Sequence, residues 1–156
     1  MSSIYIHIPF CKKRCIYCDF HFVVSKKKEE ELINSIIKEI RTRKDYLKDK
    51  KLSSIYFGGG TPSIISTSLI KKILKNISEV FIITENTEIT IETNPDDINK
   101  KKLDDYFNMG INRLSIGIQS FDDEILKSLN RSHNAMQAKN SIEIALNSRI
   151  KNISVD

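Results

Sequence analysis

The sequence predicts an α/β fold, a parallel sheet with helices packed on it. Two observations carry this. Short β-branched runs alternate with amphipathic helical stretches along the chain, the pattern of consecutive βα units. The strand ends are also followed by glycine, cysteine or polar residues, on the sheet edge where parallel α/β folds bind ligands.

The elements follow in order. Residues 3–8 alternate apolar and polar side chains, as a half-buried strand does. Residues 29–47 set Leu32, Ile33, Ile36, Ile37 and Ile40 at helical spacing among charges, an amphipathic helix. An apolar strand at 54–57 stops at Gly58, Gly59 and Gly60. Residues 69–77 are helical again, with Ile70, Ile73, Leu74 and Ile77 on one face. A β-branched strand at 88–92 ends before Asn94 and Pro95. A helix at 101–109 is closed by Gly110 as C-cap, with Ile111 behind it. Residues 113–118 form a strand, and 120–123 supply an N-cap for a helix at 124–129. A last helix spans 135–147, and a fifth strand begins at 152–155.

No linker, low-complexity segment or repeat divides these elements, so one domain is expected over residues 1–156. A closed eight-unit barrel takes about 250 residues, more than this chain holds. The sequence stops directly after an apolar strand with no helix to cover it, so the domain is expected to be incomplete.

With 40% apolar residues the chain is not a disordered one. No stretch approaches the roughly 18 apolar residues of a membrane helix, and the start lacks the order of a secretory signal, so a cytoplasmic location is expected. The 25 Lys and Arg against 20 Asp and Glu give a net charge of +5. No aromatic residues interleave the lysine clusters, so they read as solvated faces and not as a nucleic-acid surface.

Cys11, Cys15 and Cys18 are the 3 cysteines of the chain. An odd, tightly spaced set makes a poor disulfide framework and points to metal or redox chemistry. Thiolates suit iron–sulfur clusters and zinc. Zinc would need a fourth ligand, for which His21 is the nearby candidate. A four-iron cluster held by three cysteines leaves one iron open to a small molecule. His7 reads equally as a core histidine or a site neighbour, and His133 as a surface loop residue.

The Cys-x-x-x-Cys-x-x-Cys loop after a first strand resembles the signature of the radical S-adenosylmethionine (SAM) superfamily. Residues 5–11 (Tyr-Ile-His-Ile-Pro-Phe-Cys), 57–63 (Phe-Gly-Gly-Gly-Thr-Pro-Ser), 92–95 (Glu-Thr-Asn-Pro) and 113–121 (Arg-Leu-Ser-Ile-Gly-Ile-Gln-Ser-Phe) are similar to its coproporphyrinogen oxidase-like branch. That branch contains oxygen-independent coproporphyrinogen III oxidases and HemW-type heme chaperones. The resemblance implies a partial TIM-like (β/α) barrel of the radical SAM type, here truncated after the fifth strand.

It also implies the site. Cys11, Cys15 and Cys18 would hold a [4Fe-4S] cluster whose open iron takes SAM. Tyr5 and Tyr17 would lie by SAM, and Gly59, Gly60 and Thr61 would line its methionine end, where glycine lets a ligand approach the backbone. Glu92, Gln119, Arg131 and Asp156 match polar SAM contacts, Arg131 as a guanidinium facing the SAM carboxylate. The implied chemistry is reductive cleavage of SAM to methionine and a 5′-deoxyadenosyl radical, fed by a flavodoxin- or ferredoxin-like electron donor.

Within the branch, the oxidases carry a further cysteine two positions after the third; here Phe20 stands there. The Cys18-Asp19-Phe20 form resembles the HemW type, which binds heme and passes it to acceptor proteins. The resemblance therefore implies heme or a porphyrin as ligand and a heme-acceptor protein as partner. Porphyrinogen decarboxylation is the alternative. The heme-binding determinants of the type are expected in a C-terminal part beyond Asp156.

Overall fold

A computed structural model describes residues 2–156. Five strands, β1 (Ser2–Ile8), β2 (Leu52–Gly59), β3 (Glu88–Thr93), β4 (Arg113–Ile116) and β5 (Asn152–Val155), form one open sheet in the order β1-β2-β3-β4-β5. Every pairing is parallel. The crossovers carry α1 (Glu29–Thr42), α2 (Thr67–Ser78), α3 (Lys100–Asn108), α4 (Asp123–Ser128) and α5 (Ala135–Leu146). A strand order that never reverses, with crossovers of one hand, puts the helices on one face, the winding of a barrel.

That helical face is the core. Ile6, Ile8, Ile55, Phe57, Ile91, Leu114 and Ile116 lie beneath Ile33, Ile70, Ile73, Ile77 and Leu103, all buried in one cluster. The opposite face is polar. Register places Tyr5 beside Tyr56 and Thr90 beside Arg113, with Glu92 beside Ser115. A parallel sheet is normally apolar on both faces; here the uncovered face is chemically dressed for solvent or a ligand.

The elements differ from expectation at their ends. Helix α1 stops at Thr42, not at 47, where the Thr42 hydroxyl donates to the carbonyls of Lys38 and Glu39 and competes for the last turn. Strand β4 stops at Ile116, not at 118, because the chain turns away at Gln119, whose φ is +72°. Helix α3 closes as expected: Gly110 has φ +94°, its N–H bonds Phe107 and the Ile111 N–H bonds Tyr106, a Schellman end. Two single 3₁₀ turns, Pro62–Ile64 and Pro95–Asp97, follow β2 and β3 and had no counterpart in the sequence reading.

Tyr106 of α3 is 0% exposed, and its hydroxyl has no hydrogen-bond partner among the described residues. An unmet buried hydroxyl costs about 1–3 kcal/mol. Tyr106→Phe is expected to stabilise the fold by about 1 kcal/mol, read as a higher denaturant midpoint at constant m-value.

Candidate cluster and cofactor site

The three cysteines lie on the loop that leaves β1. This loop is pinned at both ends: the Cys11 N–H donates to the Val23 carbonyl (3.1 Å) and the Val23 N–H to Pro9 (2.7 Å). Its far side meets the end of α4, where the Ile16 N–H donates to the Leu129 carbonyl at 3.2 Å and the Asn130 amide to Arg14 at 2.7 Å.

Cys11, Cys15 and Cys18 line one cavity together with Tyr17, Gly59, Gly60, Thr61, Glu92, Gln119, Arg131 and Asp156. These come from the C-terminal ends of all five strands and the loops beyond them. The fold thus gathers every predicted site residue except Tyr5. Tyr5 stacks on Tyr56 at 5.9 Å between ring centroids and lines a separate groove along the free edge of β1. His7 and His21 share that groove, so the nearby fourth ligand considered for zinc does not lie with the cysteines.

The donors around the thiols suit an anionic sulfur centre. Arg131 Nη1 donates to Cys15 Sγ at 3.2 Å and to the Tyr17 hydroxyl at 3.2 Å; the Thr61 hydroxyl donates to Cys11 Sγ at 3.5 Å. Burial pushes the Cys11 thiol up, while the Thr61 hydroxyl favours its thiolate. Among the described residues no three Cys, His, Asp or Glu side chains converge on one metal ion. A four-iron cluster binds each cysteine on a different iron, so its thiols stand further apart than the ligands of one ion. The donor set fits such a cluster: three thiols line one cavity, hydrogen-bond donors reach Cys11 and Cys15, and a glycine wall stands close beside Cys11. A Cβ on Gly60 would stand 2.9 Å from Cys11 Sγ.

Glu92 anchors that glycine wall. It accepts from the Tyr56 hydroxyl (2.8 Å) and from the Gly59 N–H (3.1 Å), where Gly59 has φ +112°. Burial raises the Glu92 carboxyl above its ordinary 4.5, against the pull of those two donors. The folded state therefore holds this proton to higher pH than the unfolded chain does. Stability falls as pH rises from 4.5 through the raised value, then levels once both states are ionised. Glu92→Gln is expected to remove that slope, checked by urea titrations across the same pH window.

Arg131 was expected to face the SAM carboxylate. Its Nη2 also donates to Asn94 Oδ1 (3.0 Å) and to the Gly117 carbonyl (2.5 Å), and only Nε is without a partner among the described residues. The guanidinium thus ties the cysteine loop to the ends of β3 and β4. His133 is not the surface residue expected: it is 5% exposed and its Nε2 lies 3.1 Å from the Ile118 carbonyl, because the α4–α5 loop folds under the end of β4. Lys12, Ser63 and Ser132 also join this network, although a lysine among lysines and serines in loops carry no periodic signal in the sequence.

The fold and this site define a class: the chain belongs to the radical SAM superfamily, whose family model matches residues 5–156. Membership implies a [4Fe-4S] cluster and SAM. Its relatives are more specific. The chain is 39% identical to the heme chaperone HemW of Haemophilus influenzae over 99% of its length and 42% of that protein's. It is 41% identical to HemW of Buchnera aphidicola (subsp. Schizaphis graminum) over 90% of the chain and 38% of the relative. The coproporphyrinogen III oxidase of Escherichia coli, a radical SAM enzyme, superposes with a TM-score of 0.90 at 29% identity, covering 99% of this chain and 36% of that one. The chain thus spans about two fifths of the curated relatives it matches. The open five-stranded sheet is the radical SAM partial barrel. Among the described residues no helix is long and apolar enough to cross a membrane.

Proposed function

We propose that the chain is the cluster- and SAM-binding part of a HemW-type heme chaperone, a cytoplasmic protein that binds heme and transfers it to acceptor proteins. The observation that carries this reading is the identity to HemW proteins over nearly the whole chain, joined to Phe20 at the position where the oxidases have a cysteine.

In this reading Cys11, Cys15 and Cys18 hold the cluster and leave one iron for SAM. When bound, the cluster supplies the single electron for reductive cleavage of SAM, drawn from a flavodoxin- or ferredoxin-like donor. The chain's own residues hold and orient. Gly59 and Gly60 let the cofactor reach the backbone. Glu92, fixed by Tyr56 and the Gly59 N–H, offers a carboxylate to donors on SAM. Arg131 and Tyr17 brace the cysteine loop, and Gln119 and Asp156 close the rim. Tyr5, stacked on Tyr56, acts on the site through that ring.

The similarity to the coproporphyrinogen oxidase structure favours a second reading, oxidative decarboxylation of coproporphyrinogen III to protoporphyrinogen IX. Two assays decide, on the reconstituted chain extended by the C-terminal part expected to carry the heme determinants. Heme titration is expected to shift the Soret band at one equivalent, and coproporphyrinogen III with SAM and reductant to give no protoporphyrinogen. Robust turnover overturns the chaperone reading. No Soret shift and no turnover sink both readings for this chain.

A further inference from the structure

Lys12 stands between two cysteines of the loop, yet its side chain does not line their cavity. Its ammonium lies 2.7 Å from Asp96 Oδ2 and 2.6 Å from Asp97 Oδ1, carboxylates only 10% and 6% exposed. Asp97 accepts the Ser63 hydroxyl at 2.8 Å, and the Ser63 oxygen accepts the Asn94 N–H at 3.2 Å. Asp96 accepts the Ser132 hydroxyl at 3.0 Å. One ammonium thereby joins the cysteine loop to the turns after β2 and β3 and to the α4–α5 loop. Each of those segments carries a candidate cofactor residue close by in sequence: Thr61, Glu92 and Arg131.

The carboxylates are buried but the Lys12 side chain is 37% exposed, so desolvation and solvent screening together offset much of the attraction and the pair is weak evidence of stabilisation. What such a bridge does well is select one geometry. The loop needs that selection: Ile16 is 70% and Tyr17 48% exposed, so little packing holds it. A cluster bound by the loop and a cofactor bound by the strand ends require a set distance between the two.

We propose that Lys12 is a positioning residue whose bridge to Asp96 and Asp97 sets the cysteine loop against the β2, β3 and α4–α5 segments. The role rests on the cluster reading above. It is tested on the chain by hydrogen exchange in the metal-free state, by iron uptake on anaerobic reconstitution, and by the electron paramagnetic resonance (EPR) signal of the reduced protein with and without SAM. Lys12→Met is expected to keep the far-UV circular dichroism and the protection of the sheet. The Cys11, Ile16 and Cys18 amides should exchange at least tenfold faster, iron uptake should fall at least threefold, and SAM should no longer shift the EPR signal. Lys12→Arg, which can span both carboxylates, should restore all three.

Unchanged exchange in Lys12→Met overturns the proposal. So does faster exchange with full iron uptake and a wild-type SAM shift, since the bridge would then be structural only. Should Lys12→Met not fold, Asp96→Asn keeps the Asp97 pair and decides by the same loop amides: faster exchange with an unchanged sheet supports the role, and unchanged exchange overturns it. A wild-type chain that takes up no iron sinks the cluster reading and this role with it, whereas wild-type uptake with unaltered Lys12→Met exchange sinks the role alone.

Discussion

Replacing any one of Cys11, Cys15 or Cys18 by Ala is expected to abolish cluster binding outright. The reason is arithmetic: the chain has 3 cysteines, all lining one cavity, and no fourth thiol can substitute. Two ligands on a four-iron cluster leave two irons open to water and loss. Iron and sulfide analysis after anaerobic reconstitution, with the broad brown absorbance as a second readout, checks this. The fold should survive all three changes, because the loop lies outside the buried cluster of Ile, Leu and Phe side chains. A wild-type chain that holds stoichiometric zinc and refuses iron would reverse the assignment.

Gly60→Ala is expected to cost about 1–3 kcal/mol of stability and most of the cluster occupancy. A Cβ there would stand 2.8 Å from the Phe10 carbonyl oxygen, 2.8 Å from the Pro9 carbonyl carbon and 2.9 Å from Cys11 Sγ. Two of these atoms are backbone and cannot swing aside, so the β1 exit and the first ligand must move together. The Gly60 N–H also bonds the Ile8 carbonyl at 2.8 Å and the Thr61 N–H bonds Phe10 at 2.8 Å, which makes the two strand ends one rigid piece. Gly110→Ala provides the contrast. Its Cβ would meet nothing nearer than 3.8 Å, so its cost, about 1–2 kcal/mol, comes from φ +94° alone. Thermal melts should register both substitutions, and iron content only the first. Full iron uptake by Gly60→Ala would show that the glycine wall does not shape the ligand loop.

Local order and the main chemistry were legible in the sequence. Periods of two and 3.6 residues express which side chains a strand or helix buries, so Ile70, Ile73, Leu74 and Ile77 announced α2, and Gly110 announced the end of α3. Clustered thiols announce a sulfur-loving metal wherever the loop lies. Strand-end residues could be assigned to one site because consecutive parallel units share an edge. The tertiary structure decided the rest, because those contacts join residues far apart in sequence. Arg131 reaches Cys15 and Lys12 reaches Asp96 only once the α4–α5 loop and the turn after β3 close on the first loop. The neighbour of Tyr5 is likewise set by the fold: β1 lies at the open edge of the sheet, and there its ring stacks on Tyr56. His133 is buried for the same kind of reason. A single imidazole in a polar loop carries no period, and its burial depends on where the end of β4 lies in space.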